Sequence, residues 1–586
     1  MRQLFAFTGV AGTAVRESLE RLKQRLGGNI LIVSIDELVW ELFAEDARKH
    51  PVVRKEAELS QEQIAPGSKP NWWQFLSMPK GYIRFLWRRA ADIALEQVRR
   101  SKADIILLTF HARYQSDAYR WRFCPCDPVL LRRFRIAGFF TLIDDVYNVH
   151  QRRPADMQSE RQISLRHDNP WQRAESLILQ SIESLSELVH WRQEEISTTE
   201  DLAFACGAPA HLLSIRHPLA TVVRLISEPN FAYYFSHPIT AIRKHQHFPD
   251  NEDLKEIVDI SAQLRTQTTL IEPTAIDEFR FQVIEHEREK LFMPSLSPRW
   301  PYAGTPEELL GPPVGHGMAD QRQFICPREN IEATELTDVF AEMSRWPSGQ
   351  VERSALRTIS EAMKRFTDLI GEDITWRDHA LVDQCQRMIV FRPAYHGVPS
   401  TGVRRELEYQ RKLGVSASLH AGTGHESSKG KNCFIYHPPD DETELNKYVA
   451  EQIIKAWAED SGIRVHLRPP LRPGDENDLF NKIIGTLSGA SDASARAVQC
   501  AELMKPRVLP AMMDPTPMQK GRRSGVQDRN QEVQAKLRES AEKQILRYCY
   551  LPTLVEDRRP GLFLVSDRTR LVQAVRSRGK SVRPNP

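Results

Sequence analysis

Short apolar segments alternate with amphipathic helical segments along residues 1–225. We predict buried strands at LFAFTG (4–9), NILIVSID (29–36), ADIILLTF (103–110) and IAGFFTLIDD (136–145). Strands that are apolar throughout and separated by helices are typical of a parallel sheet covered on both faces. Because the same pattern returns after residue 230, we predict an α/β fold with two parallel-sheet, three-layer domains.

The predicted domains are residues 1–228, 229–440 and 441–586. A stretch rich in Pro, Gly and Trp at 284–350 is predicted to be an insertion or lid within the second domain. The third region is predicted to be mixed and largely helical, with a flexible tail that ends in SVRPNP.

Composition narrows the classes of protein to consider. The hydrophobic fraction is 41% and the net charge is +3, which is typical of a soluble globular protein. We see no secretion signal and no apolar run long enough to cross a bilayer, so we expect a cytoplasmic protein without membrane contact. The eight cysteines are expected to be free thiols, and the CPC at 124–126 lacks the usual zinc spacing. Basic segments such as KGRRSG (520–525) lack interleaved aromatic residues, so we do not expect a nucleic-acid partner.

The segment TGVAGTAVRES (8–18) lies between the first predicted strand and helix. Backbone N–H groups and a helix N-terminus can bind phosphate at such a place. The candidate nucleotide-binding residues are Gly9, Gly12, Thr13, Asp144 and Asp145. This layout resembles P-loop NTPases and nucleotide kinases, which implies ATP and Mg²⁺ as candidate cofactors. Residues 14–16 are Ala, Val and Arg where the working motif has Gly-Lys-Ser/Thr, so a degenerate, nucleotide-sensing domain is favoured over active phosphoryl transfer.

A second candidate site follows the apolar segment MIVF (388–391). The sequence PSTGVRRE (399–406) offers Ser400 and helix N-terminal N–H groups for a phosphate. Glu406, predicted in the first helical turn, provides a carboxylate that can attack or stabilise a sugar cation. Asp378 provides a second carboxylate, and two carboxyls in different environments can divide nucleophilic and acid–base work.

Four segments resemble, in order, nucleoside 2-deoxyribosyltransferase-like proteins and especially the 2′-deoxynucleoside 5′-monophosphate N-glycosidases. These segments are YYFSHPIT (233–240) with Arg243, TTLIEP (268–273), RDHALVDQCQRMIVF (377–391) and PSTGVRRELEYQRKLG (399–414). The resemblance implies that Glu406 is the nucleophile and that Asp378 positions the sugar or transfers a proton. The implied substrate-binding residues are Tyr234, Ser236, His237, Arg243, Ser400 and Gly402.

The same resemblance implies hydrolysis or transfer at the base–sugar bond of a nucleotide, without a metal, in a homo-oligomer. A nucleotide-sensing domain joined to a nucleotide-cleaving domain would suit bacterial antiviral defence by nucleotide depletion.

Simpler interpretations stay open at this stage. Glu406 could be a solvated carboxylate that complements the helix dipole. Asp378 and Ser400 could each be a helix N-cap that binds no ligand. The whole chain could be a non-catalytic nucleotide-responsive protein that acts through a protein partner.

Overall fold

The computed structural model of the chain describes a defined set of residues. These are residues 2–60, 72–116, 121–153, 170–227, 232–244, 248–276, 278, 281–286, 289–294, 296–298, 300–301, 306–312, 318–320, 350–395, 398–420, 432–436, 439–459, 475–489, 493–508, 523–548, 562–565, 571–573 and 575–576. Most of the predicted insertion (284–350) and all of the predicted flexible tail SVRPNP (581–586) lie outside the described residues.

Strands and helices are numbered here along the chain. The strands are β1 (Gln3–Thr8), β2 (Ile30–Ser34), β3 (Ile105–Thr109), β4 (Tyr114–Ser116), β5 (Trp121–Phe123), β6 (Gly138–Ile143), β7 (Ala210–Ser214), β8 (Ala232–Ser236), β9 (Thr269–Ile271), β10 (Gln282–His286), β11 (Glu289–Met293), β12 (Leu296–Pro298), β13 (Met318–Asp320), β14 (Arg387–Phe391), β15 (Ala394–Tyr395), β16 (Val398–Pro399), β17 (Asn432–Tyr436) and β18 (Leu562–Val565). The α-helices are α1 (Val15–Leu26), α2 (Ile35–Lys49), α3 (Pro51–Glu56), α4 (Trp72–Leu76), α5 (Lys80–Arg100), α6 (Pro128–Arg132), α7 (Val146–Arg152), α8 (Pro170–Cys206), α9 (Leu219–Ser227), α10 (Ile239–Arg243), α11 (Glu252–Gln267), α12 (Gln350–Gln384), α13 (Thr401–His420), α14 (Pro439–Glu459), α15 (Asp475–Gly489), α16 (Ala493–Val508) and α17 (Arg523–Tyr548).

The chain divides into two compact units, and each is built from two separate stretches of sequence. The first unit comprises Met1–Ala232 and Ile271–Gln384, and the second comprises Tyr233–Leu270 and Cys385–Pro586. The first change of unit lies a few residues after the boundary predicted at 228. Residues 271–384, which we had assigned to the second domain, belong instead to the first unit. The C-terminal region is part of the second unit.

Five parallel strands form the sheet of the first unit, in the order β2-β3-β1-β6-β7. Phe5 of β1 aligns with Leu107 of β3 on one side and with Gly138 of β6 on the other. β6 is buried along its whole length, which explains why its sequence is apolar without alternation. The four strands predicted here are confirmed as β1, β2, β3 and β6, each ending one or two residues before its predicted end.

The long helices α8 and α12 share one apolar core in the first unit. Leu291 and Met293 of β11 are buried in the same core, because residues two apart on a strand point to the same face. We had predicted that the 284–350 segment was an insertion or lid. Its described hairpin, β10–β11, is instead part of the core.

The helix α12 is one continuous helix of 35 residues and runs through Gly371. A single glycine inside a helix costs about 1 kcal/mol. Packing of Phe366 and Ile370 into the core on one side of Gly371 offsets this cost, because tertiary contacts dominate helix stability.

The sheet of the second unit has the order β18-β17-β14-β8-β9. β14 pairs in parallel with β8 and β17, and β17 pairs in parallel with β18. Taken in chain order, this is the 2-1-3-4-5 arrangement of a doubly wound sheet. β9 is only three residues long, because a 3₁₀ turn begins soon after it at Pro273, which has no N–H to donate to a ladder.

The C-terminal helices α14 to α17 surround an apolar core that includes Val449, Ile483, Cys500 and Leu537. The helical prediction for this region is confirmed for its described residues, but the prediction missed β18. Among the described helices, none combines the length and apolar character needed to cross a membrane.

Candidate functional site

β8 and β14 are neighbours in the second sheet, and the chain leaves them in opposite directions. From β8 the chain continues to β9 on one flank, and from β14 it continues to β17 on the other. In doubly wound sheets such a divergence opens a crevice at the carboxyl ends of the two strands, and ligands bind there. The predicted site residues of the second unit lie on β8, on the short helix after it, and on the loop and helix after β14.

Glu406 is the centre of this site. It lies in the second turn of α13, rather than the predicted first turn, and is only 6% exposed. The Tyr234 hydroxyl donates to Glu406 Oε1 at 2.7 Å, and the Ser236 hydroxyl donates to Oε2. Tyr234 and Ser236 are two residues apart on β8, so their side chains share one face. The structure therefore brings together three residues that the sequence predicted for one site.

The environment of Glu406 determines its chemistry. Burying a carboxylate is costly unless its oxygens accept hydrogen bonds. The two hydroxyl donors supply such bonds to both oxygens and fix the orientation of the group. An oriented carboxylate can attack an electrophilic carbon or stabilise positive charge that develops on it. The interpretation of Glu406 as a solvated carboxylate is therefore wrong.

Ser400 and Gly402 lie at the start of α13. The Ser400 Oγ accepts a hydrogen bond from the Val403 N–H at 3.4 Å, so Ser400 caps the helix, as one of the simpler interpretations held. Gly402 is exposed, and a Cβ built there would meet only the Ser400 Oγ, at 4.0 Å, among the described residues. Packing within the chain therefore does not require glycine at this position.

His237 and Arg243 follow β8. His237 is 4% exposed, and its ring lies 5.1 Å from the Phe235 ring. Arg243 ends α10 and places its guanidinium 5.9 Å from the centre of the Phe248 ring. Both residues lie at the carboxyl end of β8, and their roles in substrate binding stay predictions.

Sequence reasoning missed Arg392, which follows β14 directly. Its φ is +56°, an uncommon value for a residue other than glycine. The Arg392 guanidinium pairs with Asp253 at 2.8 Å and with Glu256 at 2.5 Å, both on α11. These ion pairs hold the segment that leads from β14 to the helix that carries Glu406.

Asp378 belongs to the first unit and lies inside α12, so the interpretation as a helix N-cap is wrong. Burial raises the pKa of Asp378 to about 6, although the adjacent Arg377 opposes this shift. Arg377 in turn joins a buried ion-pair network with Glu278, Arg192 and Asp373. Because Asp378 and Glu406 belong to different compact units, their pairing in one site stays a prediction.

The predicted phosphate-binding segment of the first unit connects β1 to α1. The chain leaves β1 and its neighbour β6 in opposite directions, so this segment also lies at a switch point. A Cβ at Gly9 would lie 2.7 Å from the Leu142 carbonyl oxygen. Gly12 has φ +95°, and a Cβ there would lie 2.8 Å from the Val149 carbonyl oxygen. Close packing therefore requires both glycines, whether or not a ligand binds.

Asp144 and Asp145 follow β6 and have partners within the chain. Asp144 pairs with Arg152 and, at 3.5 Å, with Arg216. Asp145 accepts the Tyr147 N–H at 2.8 Å and so caps α7. The Thr13 hydroxyl is fully buried and forms no hydrogen bond with any described residue.

The structure reveals Glu195 as an unpredicted residue of this region. Its carboxylate accepts the N–H groups of Gly9 at 3.2 Å and of Ala112 and Arg113 at 2.7 Å each. Burial raises the pKa of Glu195 to about 8, although His111 and the three N–H donors oppose the shift. A side chain of the protein thus occupies backbone donors that we had expected to face a phosphate. No local signal marks Glu195, because it is 186 residues away from Gly9.

An acid–base pair lies at the ends of β2 and β3. His111 Nδ1 is 2.8 Å from Asp36 Oδ2, and the Tyr114 hydroxyl donates to Asp36 Oδ1 at 2.7 Å. Burial lowers the pKa of His111, but the Asp36 carboxylate outweighs this effect and the net direction is upward. The carboxylate favours the tautomer that carries its proton on Nδ1.

Comparison with known proteins does not assign a family. No protein-family model matches the chain, and no curated protein matches it significantly. Within the described part of the chain, no group of three or more His, Cys, Asp or Glu side chains is arranged to hold a metal ion.

Proposed function

We propose that the second unit cleaves the base–sugar bond of a nucleotide, with Glu406 as its nucleophile. The observation that carries this proposal is the buried Glu406 carboxylate, oriented by two hydroxyls beside the switch point of a doubly wound sheet. The sheet order is compatible with the resemblance of residues 230–440 to nucleoside 2-deoxyribosyltransferase-like proteins.

The reaction passes through a sugar with cationic character at C1′. Glu406 attacks this carbon or stabilises the charge, while Tyr234 and Ser236 hold the carboxylate in place. Water or an acceptor base then takes the sugar and releases the carboxylate.

The departing base needs a proton. The resemblance implies that Asp378, which belongs to the first unit, donates this proton or positions the sugar. With a pKa of about 6, this carboxyl holds a proton in part of the molecules near neutral pH.

A 5′-phosphate is proposed to bind at the start of α13. The free N–H groups and the dipole of a helix N-terminus favour an anion. Among the described residues, only the Ser400 Oγ lies within 4.0 Å of a Cβ built at Gly402, so these residues leave room for a phosphate near the helix N-terminus. Ser400 and Arg243 are the proposed side-chain contacts, and Arg243 supplies the positive charge.

The test uses the full chain with a panel of nucleosides, nucleotides and NAD, with and without ATP and Mg²⁺. Released free base is measured by chromatography for the natural protein and for Glu406→Ala. Release that Glu406→Ala abolishes supports the proposal and identifies the substrate. Release that survives in Glu406→Ala would show that the assignment of the nucleophile is wrong.

A second candidate function is nucleotide sensing without turnover, through a degenerate P-loop-like first unit. It is favoured by the Glu195 carboxylate on the Gly9 N–H and by the pairing of Asp144 with Arg152. Both contacts occupy groups that an active nucleotide site would use. Calorimetry with ATP, with and without Mg²⁺, tests this candidate. Binding without consumption of ATP supports it, and turnover that survives Glu406→Ala would contradict it.

The cellular role proposed from this combination of units is nucleotide depletion in bacterial defence, in the cytoplasm and as a homo-oligomer. Nucleotide pools measured during infection, in cells that express the natural chain or Glu406→Ala, test the role. Pools that fall only with the natural chain support it, and unchanged pools count against it.

A further inference from the structure

We propose that Cys124 and Cys126 form a redox-active dithiol that exchanges with small anionic disulfides such as oxidised glutathione. The pair lies in the first unit, directly after β5, and Asp127 then caps α6. Cys124, the thiol that a small disulfide must reach, is partly exposed. This inference is independent of the function proposed for the second unit.

The spacing of the two cysteines allows a disulfide. The Cα atoms of residues two positions apart, such as Cys124 and Cys126, are at most ~7 Å apart even in a fully extended chain. Disulfides join Cα atoms that are about 4.4–6.8 Å apart, so little rearrangement is needed. The chain is not fully extended here, since the Cys124 Sγ lies 4.0 Å from the Cys126 carbonyl oxygen.

The two thiols differ in acidity, and the difference gives them separate roles. The hydrogen bond from the Cys126 thiol lowers the pKa of Cys124 to about 7, and the cations Arg113 and Arg84 add to this effect against the opposing burial. Burial raises the pKa of Cys126 well above its usual value. Cys124 is therefore the attacking thiolate, and Cys126 is the thiol that completes the exchange.

The exchange balances without a further reactant. The Cys124 thiolate attacks one sulfur of the disulfide and expels the first glutathione as a thiolate. Cys126 gives its proton to that thiolate and attacks the Cys124 sulfur, which expels the second glutathione. Two protein thiols become one disulfide, and one small disulfide becomes two thiols.

Cationic side chains beside the pair favour an anionic partner. The Lys80 ammonium lies 4.1 Å from the centre of the Trp121 ring, and the Arg84 guanidinium lies 5.7 Å from the centre of the Phe123 ring. Both cations are on α5, and both rings are on β5. Glutathione carries net negative charge, so these cations attract it.

Oxidation has a structural consequence within the first unit. The Cys126 Sγ lies 3.7 Å from the His111 carbonyl oxygen, to which it donates its one proton when the Cys124 sulfur does not accept it. A disulfide removes this donor from the segment His111–Arg113, which also binds Asp36 and Glu195. The redox state of the pair is therefore coupled to the carboxyl edge of the first sheet.

The first test compares alkylation rates of Cys124 and Cys206 in the full, reduced chain. Cys206 is a matched control, because it is also partly exposed and its pKa is raised by burial. At pH 7 a much larger fraction of Cys124 than of Cys206 is thiolate, because the pKa of Cys124 is about 7 whereas burial raises that of Cys206. The more acidic thiolate is intrinsically less nucleophilic, which reduces this advantage without removing it, so we expect Cys124 to react several-fold faster. Equal rates would overturn the assignment of the attacking thiol.

The second test treats the full chain with oxidised glutathione, alkylates the remaining thiols and maps the peptides by mass spectrometry. We expect a Cys124–Cys126 disulfide in the natural chain, a glutathione adduct on Cys124 in Cys126→Ser, and neither product in Cys124→Ser. The Cys206→Ser control should behave as the natural chain does. Peptides in which Cys124 and Cys126 remain reduced, under conditions that oxidise dithiothreitol, would overturn the proposal.

Discussion

The hydrogen bond between Tyr234 and Glu406 provides a quantitative test of the second site. Tyr234→Phe keeps the buried ring and removes only the hydroxyl that lies 2.7 Å from Glu406 Oε1. Hydrogen bonds to charged groups contribute about 1.5–3 kcal/mol, and Tyr234 is fully buried. We therefore expect Tyr234→Phe to lower the free energy of unfolding of the second unit by about that amount. If the bond also orients the nucleophile, kcat for base release falls about 10–100-fold.

A double-mutant cycle separates this bond from other effects of the substitution. In a Glu406→Ala background the Tyr234 hydroxyl has lost this acceptor, so Tyr234→Phe should change stability little. The coupling free energy, measured by denaturant unfolding, should therefore be about 1.5–3 kcal/mol. The exposed Glu408, two residues away on α13, supplies a control in Glu408→Ala. An equal cost of Tyr234→Phe in the natural and Glu406→Ala backgrounds, within about 0.5 kcal/mol, would refute the reasoning.

Further predictions concern packing, charge and protonation. Gly9→Ala forces a Cβ to within 2.7 Å of the Leu142 carbonyl oxygen and should lower the thermal unfolding temperature. Gly402→Ala should leave this temperature unchanged or higher, and should lower only the activity that depends on the phosphate. Arg192→Met removes an ion pair from each of the buried carboxylates Asp373 and Glu278, of which Glu278 keeps Arg377, and should cost about 3–5 kcal/mol in denaturant unfolding. Because the pKa of Asp378 is raised in the folded chain, folding is most favourable when the carboxyl is protonated, which holds in both states below its unfolded-state pKa. This contribution to stability is lost as the pH rises through about 6. Asp378→Asn should therefore be more stable than the natural chain above pH 6 by roughly 2–3 kcal/mol and similar to it near pH 4, as measured by unfolding at each pH.

The sequence predicted the positions of the strands better than it predicted which strands form one sheet. β1, β3, β6 and β14 are short apolar runs whose burial on both faces leaves a clear pattern. Which sheet a segment joins depends on contacts between residues far apart in the chain, and no local pattern records them. The strand β18 illustrates this limit, since LFLV (562–565) is four residues long and pairs with β17 from more than a hundred residues away.

The residues of the candidate sites were likewise predicted only in part. Glu406, Tyr234 and Ser236 were predicted together because the motif segments kept their order, and the structure places them in hydrogen-bond contact. Glu195 and Arg392 were not predicted, because a carboxylate on a long helix and an arginine after a strand are common in any sequence. Their roles come from the backbone N–H groups and carboxylates that the fold brings to them.

The most direct test of the central claim is the rate of base release by Glu406→Gln, measured by chromatography on the best substrate of the panel. Glutamine keeps the size and much of the hydrogen bonding of Glu406 but has no carboxylate to attack C1′. Glu408→Gln on the same helix is the matched control. We predict that Glu406→Gln lowers kcat at least ~10³-fold while Glu408→Gln keeps the natural rate. A rate for Glu406→Gln within a few-fold of the natural chain would contradict the assignment of Glu406 as the nucleophile.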